Sequence, residues 1–394
     1  MKAEGQTEGR LWRPTVAISL LQVSLGMVRP AISYQALESG GDAMAIGLIA
    51  AAYAALPMLF AIAIGSLAGR LARIALVPVV STVVVVAGIA LCLATTELWW
   101  LGAASALIGI GNIGALLGAQ AWVSRSAPAS RYDSVFGWMT ATMSLGQAVG
   151  PLLGGFLLAG LGSHPTSQGI QAAFWVALGI TLAAAVVFCT RGRRVYSEAA
   201  QRETARSTRE IILLPGVARY VYASAVVLTT IDILSAYLPA VGDAHGIPPA
   251  VVGILLGVRG LTSMISRIFL GAMTRRWDRV ALSAVATAGS AVAIASIAIA
   301  PLFAVLLPAM IIGGFLLGII QPLTISSIAL AVPERSRSEA LAIRLLGNRI
   351  AQTTLPAIAG GLGAALGIGA VFWMLTALLG GGAVWLAARR PRGD

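Results

Sequence analysis

Twelve apolar runs follow one another along this 394-residue chain, and each is long enough to cross a lipid bilayer. An α-helix rises about 1.5 Å per residue, so roughly 20 apolar residues span a hydrocarbon core of about 30 Å. With 58% hydrophobic and 11% charged residues, the chain carries more apolar surface than a soluble domain can bury. We therefore predict an all-α integral membrane protein with twelve transmembrane helices. The runs occupy residues 14–36, 45–68, 74–95, 98–123, 134–160, 170–190, 218–241, 249–273, 280–300, 303–331, 339–365 and 368–388.

Arginine is concentrated in alternate connections between these runs and at both chain ends. The intervening connections hold no lysine or arginine, although they carry Glu38, Asp42, Glu97 and Asp243. Because basic connections stay on the cytoplasmic side, we predict two cytoplasmic termini and an even number of spans. We expect a multi-pass protein of the inner membrane, with its first run kept as an uncleaved anchor.

The formal net charge of +12 follows from these arginine clusters. The clusters lack the interleaved aromatic residues and the soluble scaffold that a nucleic-acid groove requires. The charge therefore indicates membrane topology, and we expect no nucleic-acid partner.

One long polar segment divides the chain into two halves. It predicts a cytoplasmic linker at 191–217 between six-helix bundles at 14–190 and 218–388, with tails at 1–13 and 389–394. The halves are internally similar, which indicates duplication and two pseudo-symmetric bundles. The aligned pairs are Gln147 with Gln352, Pro151 with Pro356 and Gly155 with Gly360 at an offset of 205 residues, and Gly65 with Gly271 and Arg70 with Arg276 at 206.

The fifth run reads GWMTATMSLGQAVGPLLGG from Gly137 to Gly155. Gly146, Gly150 and Gly154 recur every four residues, so a helix places them in one stripe that another backbone can approach closely. Pro151 removes one intrahelical hydrogen bond and introduces a kink. The pattern predicts a helix on which neighbouring helices can move.

The complete spacing, G-x8-G-x3-G-P-x2-G-G, resembles the antiporter motif on the fifth helix of proton-coupled drug exporters in the major facilitator superfamily. GSLAGRLAR after the second run and GAMTRRWDR after the eighth resemble that superfamily's cytoplasmic signature in part, with Gly69 and Arg275 where an acid is usual. The resemblance implies the major facilitator fold and export by alternating access. It also implies conformational roles for Gly65, Arg70, Gly137, Gly146, Gly150, Pro151, Gly154, Gly155, Gly271 and Arg276.

Ionisable residues at membrane depth are costly, and they commonly face a cavity or a partner. Asp232 is the only acid well inside a predicted span, and we predict that it couples transport to protons. Arg29, Arg259 and Arg349 lie deep in other runs, and they favour an anionic or zwitterionic substrate because the guanidinium group matches carboxylates and phosphates. Arg344 and Arg349 enter the eleventh run from the cytoplasmic side, and we predict a gating role for Arg344. For Arg349 and its neighbour Asn348, a lock between the two halves is an equal alternative to substrate contact.

Other candidates have packing roles as their alternative. Asp232 either neutralises Arg259 or Arg29 structurally, or releases that arginine to an anionic substrate when it is protonated. The aromatic and amide side chains predicted to reach substrate are Tyr34, Tyr237, Gln147 and Gln321, with Tyr53, Trp122 and Gln120 at similar positions.

The function predicted from these features is secondary active transport of a small organic molecule. No G-x4-G-K-S/T motif occurs, and Lys2 is the sole lysine, so we expect no cofactor and energy from a proton gradient. A membrane-embedded enzyme would need a clustered acid pair, a metal site or a Ser/His arrangement, which the sequence does not show. We expect proton antiport with efflux, with proton-coupled uptake of an organic anion as the alternative. The expected partners are the substrate, protons and membrane lipid, with the protein as a monomer.

Overall fold

The structure is a computed structural model that describes residues 2–71, 73, 75–126, 132–160, 165–189, 214, 216–332 and 337–388. These residues form twelve α-helices, each containing most of one predicted apolar run. The helices are α1 (Lys2–Glu38), α2 (Ala43–Arg70), α3 (Leu76–Ala94), α4 (Leu98–Ser126), α5 (Tyr132–Ala159), α6 (Ser167–Cys189), α7 (Val217–Ala244), α8 (Pro249–Arg276), α9 (Arg279–Ile299), α10 (Phe303–Ala331), α11 (Arg337–Leu366) and α12 (Gly369–Ala387).

Eleven of the twelve helices in this described part are long and apolar enough to cross a membrane. The exception is α11, whose first half carries Arg337, Glu339, Arg344 and Arg349. The count of twelve spans and the cytoplasmic position of both ends therefore stay predictions. Nearly all of the predicted linker at 191–217 lies outside the described residues, so its bounds stay a prediction as well.

The chain forms two compact units. Unit 1 consists of Met1–Gly41, Ala52–Ala200 and Pro248–Gly257, so it contains the first turns of α8. Its helix α1 packs against α4, α5 and α6, and α3 packs against α4 and α6.

Unit 2 consists of Asp42–Ala51, Gln201–Ile247 and Val258–Asp394, so it contains the first turns of α2. Here α7 packs against α10, α11 and α12, while α9 packs against α10 and α12. The arrangement repeats that of unit 1, with α7 in the place of α1 and α11 in the place of α5.

Polar side chains inside the helices find interhelical partners. Ser24 of α1 donates to the carbonyl oxygen of Ala177 at 2.9 Å, and its hydroxyl lies 2.7 Å from that of Thr181 on α6. In unit 2, the Tyr222 hydroxyl donates to the carbonyl oxygen of Leu378 at 2.9 Å. Because lipid offers no hydrogen bonds, such partners fix which helix faces meet.

Candidate functional site

The glycine stripe of α5 lies directly against the backbone of α1. A Cβ atom added to Gly150 would lie 2.8 Å from the Cα atom of Gly26 and would also collide with the carbonyl oxygen of Val23. At Gly146 it would lie 2.7 Å from a carbonyl oxygen of α1, and at Gly154 it would lie 3.0 Å from a Cα atom. The close backbone approach predicted from the spacing is therefore confirmed, whereas the conformational role stays a prediction.

Two further glycine pairs occupy equivalent places in the two units. A Cβ atom on Gly155 would lie 2.7 Å from the Cα atom of Gly253, within unit 1. A Cβ atom on Gly47 would lie 2.7 Å from the Cα atom of Gly360, within unit 2. In each unit, the duplicated motif helix thus meets the first turns of a helix that is otherwise assigned to the other unit.

The signature-like segments after α2 and α8 are more open. A Cβ atom on Gly65 would meet only a side-chain carbon at 3.7 Å, and on Gly271 only the Arg275 guanidinium at 3.8 Å. Arg276 is exposed. The side chain of Arg70 and the surroundings of Gly137 lie outside the described part of the structure.

A chain of polar side chains connects four helices of unit 1. Gln147 of α5 donates to Gln22 of α1 at 3.3 Å, and Gln22 donates to Asn112 of α4 at 3.2 Å. Asn112 donates to the hydroxyl of Tyr53 on α2 at 2.8 Å. The Arg29 guanidinium lies 4.2 Å from the centre of the Tyr53 ring, in cation–π geometry. Arg29 and Gln147, both predicted to contact substrate, are thus members of one polar cluster.

A charged cluster forms between α7 and α11 in unit 2. Gln352 donates from its Nε2 to an Asp232 carboxylate oxygen and accepts from Arg349 Nη1 at 3.0 Å. Gln352 is 5% exposed, whereas Asp232 and Arg349 are half-buried. One neutral amide therefore bridges the deep acid and a deep arginine, an arrangement that the sequence analysis did not anticipate. The predicted pairing of Asp232 with Arg29 or Arg259 stays a prediction.

A second group lies on the same pair of helices and on α10. Arg344, 5% exposed, donates to the side-chain oxygen of Gln321 at 2.7 Å. Gln321 donates to the backbone oxygen of Ser224 at 3.3 Å, and the Ser224 hydroxyl donates to Asn348 at 2.9 Å. Arg344, predicted as a gating residue, and Gln321, predicted as a substrate ligand, are therefore hydrogen-bond partners.

The remaining predicted ligands are buried. Tyr34 is 2% exposed and Tyr237 is 0% exposed, and the Tyr237 hydroxyl donates to the carbonyl oxygen of Ala43 at 2.8 Å. Arg259 is also buried. The burial of the two tyrosines fits the packing role left open as their alternative, and contact with substrate stays a prediction.

Sequence reasoning missed four cluster members as site residues: Gln22, Asn112, Ser224 and Gln352. They are amides and a hydroxyl within otherwise apolar runs. Their presence at membrane depth was the available signal, because such groups seek hydrogen-bond partners there. Their partners lie on helices distant in sequence, so only the packed structure identifies them.

The two clusters offer different chemistry. The unit 1 cluster consists of neutral amides, a phenol and one stacked guanidinium, which suit polar or anionic groups. The charged cluster of unit 2 combines the Asp232 carboxylate with the Arg349 guanidinium, so it holds partners for both a positive and a negative group. Within unit 2, the pair Asp232 and Arg349 can thus bind the two ends of a zwitterion.

The sequence and the structure match known transport proteins. A profile of the Major Facilitator Superfamily matches residues 15–240 and 220–394. No curated protein matches the chain at a significant level.

Solved structures of low sequence identity share the fold over nearly the whole chain. The nucleoside transporter NupG is 11% identical with a TM-score of 0.75, covering 96% of this chain and 99% of its own. A POT family transporter in complex with 5-aminolevulinic acid is 14% identical with a TM-score of 0.74, covering 96% and 95%. A D-xylose–proton symporter is 15% identical with a TM-score of 0.72, covering 96% and 97%.

Proposed function

Because the chain belongs to the Major Facilitator Superfamily, we propose that it exports a small zwitterionic or anionic organic molecule in exchange for protons. The chain is a multi-pass membrane transport protein rather than an enzyme. The proton coupling, the direction of transport and the substrate class are proposed.

The bridge from Arg349 through Gln352 to Asp232 supports this proposal. Gln352 donates to the carboxylate and accepts from the guanidinium, so its amide is oriented by both charges. Protonation of Asp232 removes the negative charge that holds the Nε2 end of the amide. A proton bound at Asp232 therefore alters the group beside Arg349, which links protonation to substrate binding in one cluster.

The sign of that link depends on the substrate. A zwitterion places its ammonium group at Asp232 and its carboxylate at Arg349, so the ammonium and a proton compete for the same oxygens. Competition between proton and substrate is the thermodynamic basis of antiport. A zwitterion is therefore the substrate class that best suits proton-coupled export.

An anion without an amine gives the second candidate function. It binds Arg349 more readily once Asp232 is neutral, so proton and anion favour each other's binding. That coupling produces proton symport and uptake of an organic anion. Arg344, on the same helix as Arg349, favours this reading because it adds positive charge without another acid among the named cluster residues.

The experiment compares two matched compounds in proteoliposomes that contain a pH-sensitive dye. The compounds are 5-aminolevulinic acid, which one structural neighbour was crystallised with, and levulinic acid, which has the same skeleton without the amine. Antiport of the zwitterion, added outside, raises the pH of the lumen, whereas symport of the anion lowers it. Protein-free liposomes correct for passive permeation.

Two outcomes would contradict the proposal. If radiolabelled substrates from a wider panel of amino acids and carboxylates enter without any change of lumenal pH, the transporter is uncoupled from protons. A cationic compound that is carried while every zwitterion and anion is refused would overturn the substrate class.

We also propose that the protein is a monomer of the inner membrane with twelve spans and both ends in the cytoplasm. Labelling of single cysteines placed near residues 2 and 390 tests the topology. Labelling of either position from outside intact cells would contradict it.

A further inference from the structure

A cavity of about 480 Å³ lies in unit 1, where α1 ends and where α4 and α6 begin. Its walls include Gln35, Glu38, Glu97, Trp99 and Ser167. Cavities of this volume accommodate small organic ligands. None of its lining residues belongs to the polar cluster of unit 1 or to the two groups of polar and charged residues in unit 2.

The cavity is acidic. Glu38 and Glu97 both line it, and the set of lining residues includes no lysine, arginine or histidine. Ser167 donates its hydroxyl hydrogen to Glu38, which links the end of α1 to the start of α6. Among the residues that the structure describes, no basic residue of the cavity wall compensates the negative charge.

Gln35 supplies an independent indication of a ligand. It is 2% exposed, and its Nε2 donates to the carbonyl oxygens of Cys92 at 3.0 Å and Thr95 at 2.7 Å. These two acceptors fix the orientation of the amide. Its Oε1 is buried and has no hydrogen-bond donor within the described part of the chain. A buried acceptor without a donor is costly, and a ligand carrying N–H groups removes that cost.

Trp99 adds an aromatic surface. Its side chain is 87% exposed although it borders the cavity. The face of an indole ring attracts organic cations more strongly than other aromatic rings do. Two carboxylates, an amide oxygen and an indole thus surround one space.

We propose that this cavity binds a primary organic ammonium ion. Such a group offers three N–H donors, and three side chains present acceptor oxygens to them: the carboxylates of Glu38 and Glu97 and the amide of Gln35. An inorganic metal ion fits less well. In the residues that the structure describes, no group of three or more acidic, histidine or cysteine side chains is positioned to hold one.

Isothermal titration of the purified full-length protein with benzylamine tests the site, with benzyl alcohol as the neutral probe of the same shape. We expect benzylamine to bind and benzyl alcohol not to bind. Glu38→Gln and Glu97→Gln keep the side-chain shape and should each weaken benzylamine binding about tenfold or more. Trp99→Leu should weaken it by about two- to fivefold, and Trp99→Phe by less.

Asp243→Asn is the matched control, because Asp243 is also exposed and acidic in a connection free of lysine and arginine. It should leave benzylamine binding unchanged. If Asp243→Asn weakens binding as much as the glutamate variants, binding follows general surface charge and the site is wrong. Equal binding of benzyl alcohol, or complete displacement of benzylamine by equimolar Ca²⁺, would also overturn the assignment.

Discussion

Helix α5 of unit 1 and its repeat α11 of unit 2 share a glutamine, a proline and a glycine at equivalent positions, but they differ at the three positions of the glycine stripe. The three stripe glycines of α5 pack against the backbone of α1. At the positions related by 205 residues, α11 has Ala351, Leu355 and Ala359. The stripe of three glycines is therefore present in α5 and absent from the equivalent positions of α11.

The two glutamines related by 205 residues, Gln147 and Gln352, differ in burial and in the charge of their hydrogen-bond partners. Gln147 is exposed and bonds to another neutral amide, Gln22. Gln352 is buried and lies between Asp232 and Arg349. The two related helices thus make different contacts. The glycines of α5 pack against the backbone of α1, and Gln352 of α11 bonds to two charged side chains.

The largest expected effect concerns Asp232, in the charged cluster of unit 2. Asp232→Asn should abolish proton-driven flux while exchange of labelled for unlabelled substrate continues, because the amide cannot carry a proton. The matched control is Asp243→Asn on the same helix, which should retain coupling. The measurement is lumenal pH beside radiolabelled exchange. Unchanged proton-driven flux in Asp232→Asn would exclude this residue from the coupling mechanism.

The next largest effect concerns Gly150, in the glycine stripe of α5. Gly150→Leu should lose most transport and lower the melting temperature, because a side chain there meets backbone atoms of Val23 and Gly26 that cannot rotate away. Overpacking of this kind costs about 1–3 kcal/mol. Leu355→Ala at the equivalent place in α11 should change turnover far less. Wild-type turnover in Gly150→Leu would show that the two helices need not stay in contact.

A smaller effect compares the two glutamines. Gln352→Leu removes hydrogen bonds to two charged groups, of a kind worth about 1.5–3 kcal/mol each, and should weaken substrate binding by at least about tenfold. Gln147→Leu removes a neutral bond worth about 0.5–1.5 kcal/mol and should weaken it by about tenfold at most. Calorimetric titration with the transported compound measures both. Equal losses would mean that the two helices contribute alike.

The smallest effect concerns Tyr53. Tyr53→Phe removes the hydroxyl that accepts from Asn112 but keeps the ring beneath Arg29, so affinity should fall by about tenfold or less. Tyr53→Leu removes the ring as well and should cost a further twofold or more. The same titration checks the order of the two variants. If Tyr53→Phe loses more affinity than Tyr53→Leu does, the ring contact with Arg29 is unimportant for binding.

Sequence reasoning predicted the helices well because an apolar run is a local property. The glycine stripe was predictable for the same reason, since a four-residue repeat defines one helix face. The hydrogen bond from Gln352 to Asp232 was not predictable. Charge considerations pointed only to arginines, and the position of the Gln352 amide depends on the contact of α7 with α11. The burial of Tyr34 and Tyr237 was also not predictable, because residue type alone does not show how deeply a side chain is packed.

The bare backbone contact between α1 and α5 also imposes an order of assembly during biosynthesis. Gly26 and Gly150 lie about 120 residues apart. At a synthesis rate of about 5–20 residues per second, α1 therefore emerges about 6–25 s before its partner. We expect Met27→Cys to react with a membrane-permeable maleimide in nascent chains that stop after α4, and to be shielded once α5 has been added. Equal labelling at both lengths would mean that other helices, or the insertion machinery, cover this face first.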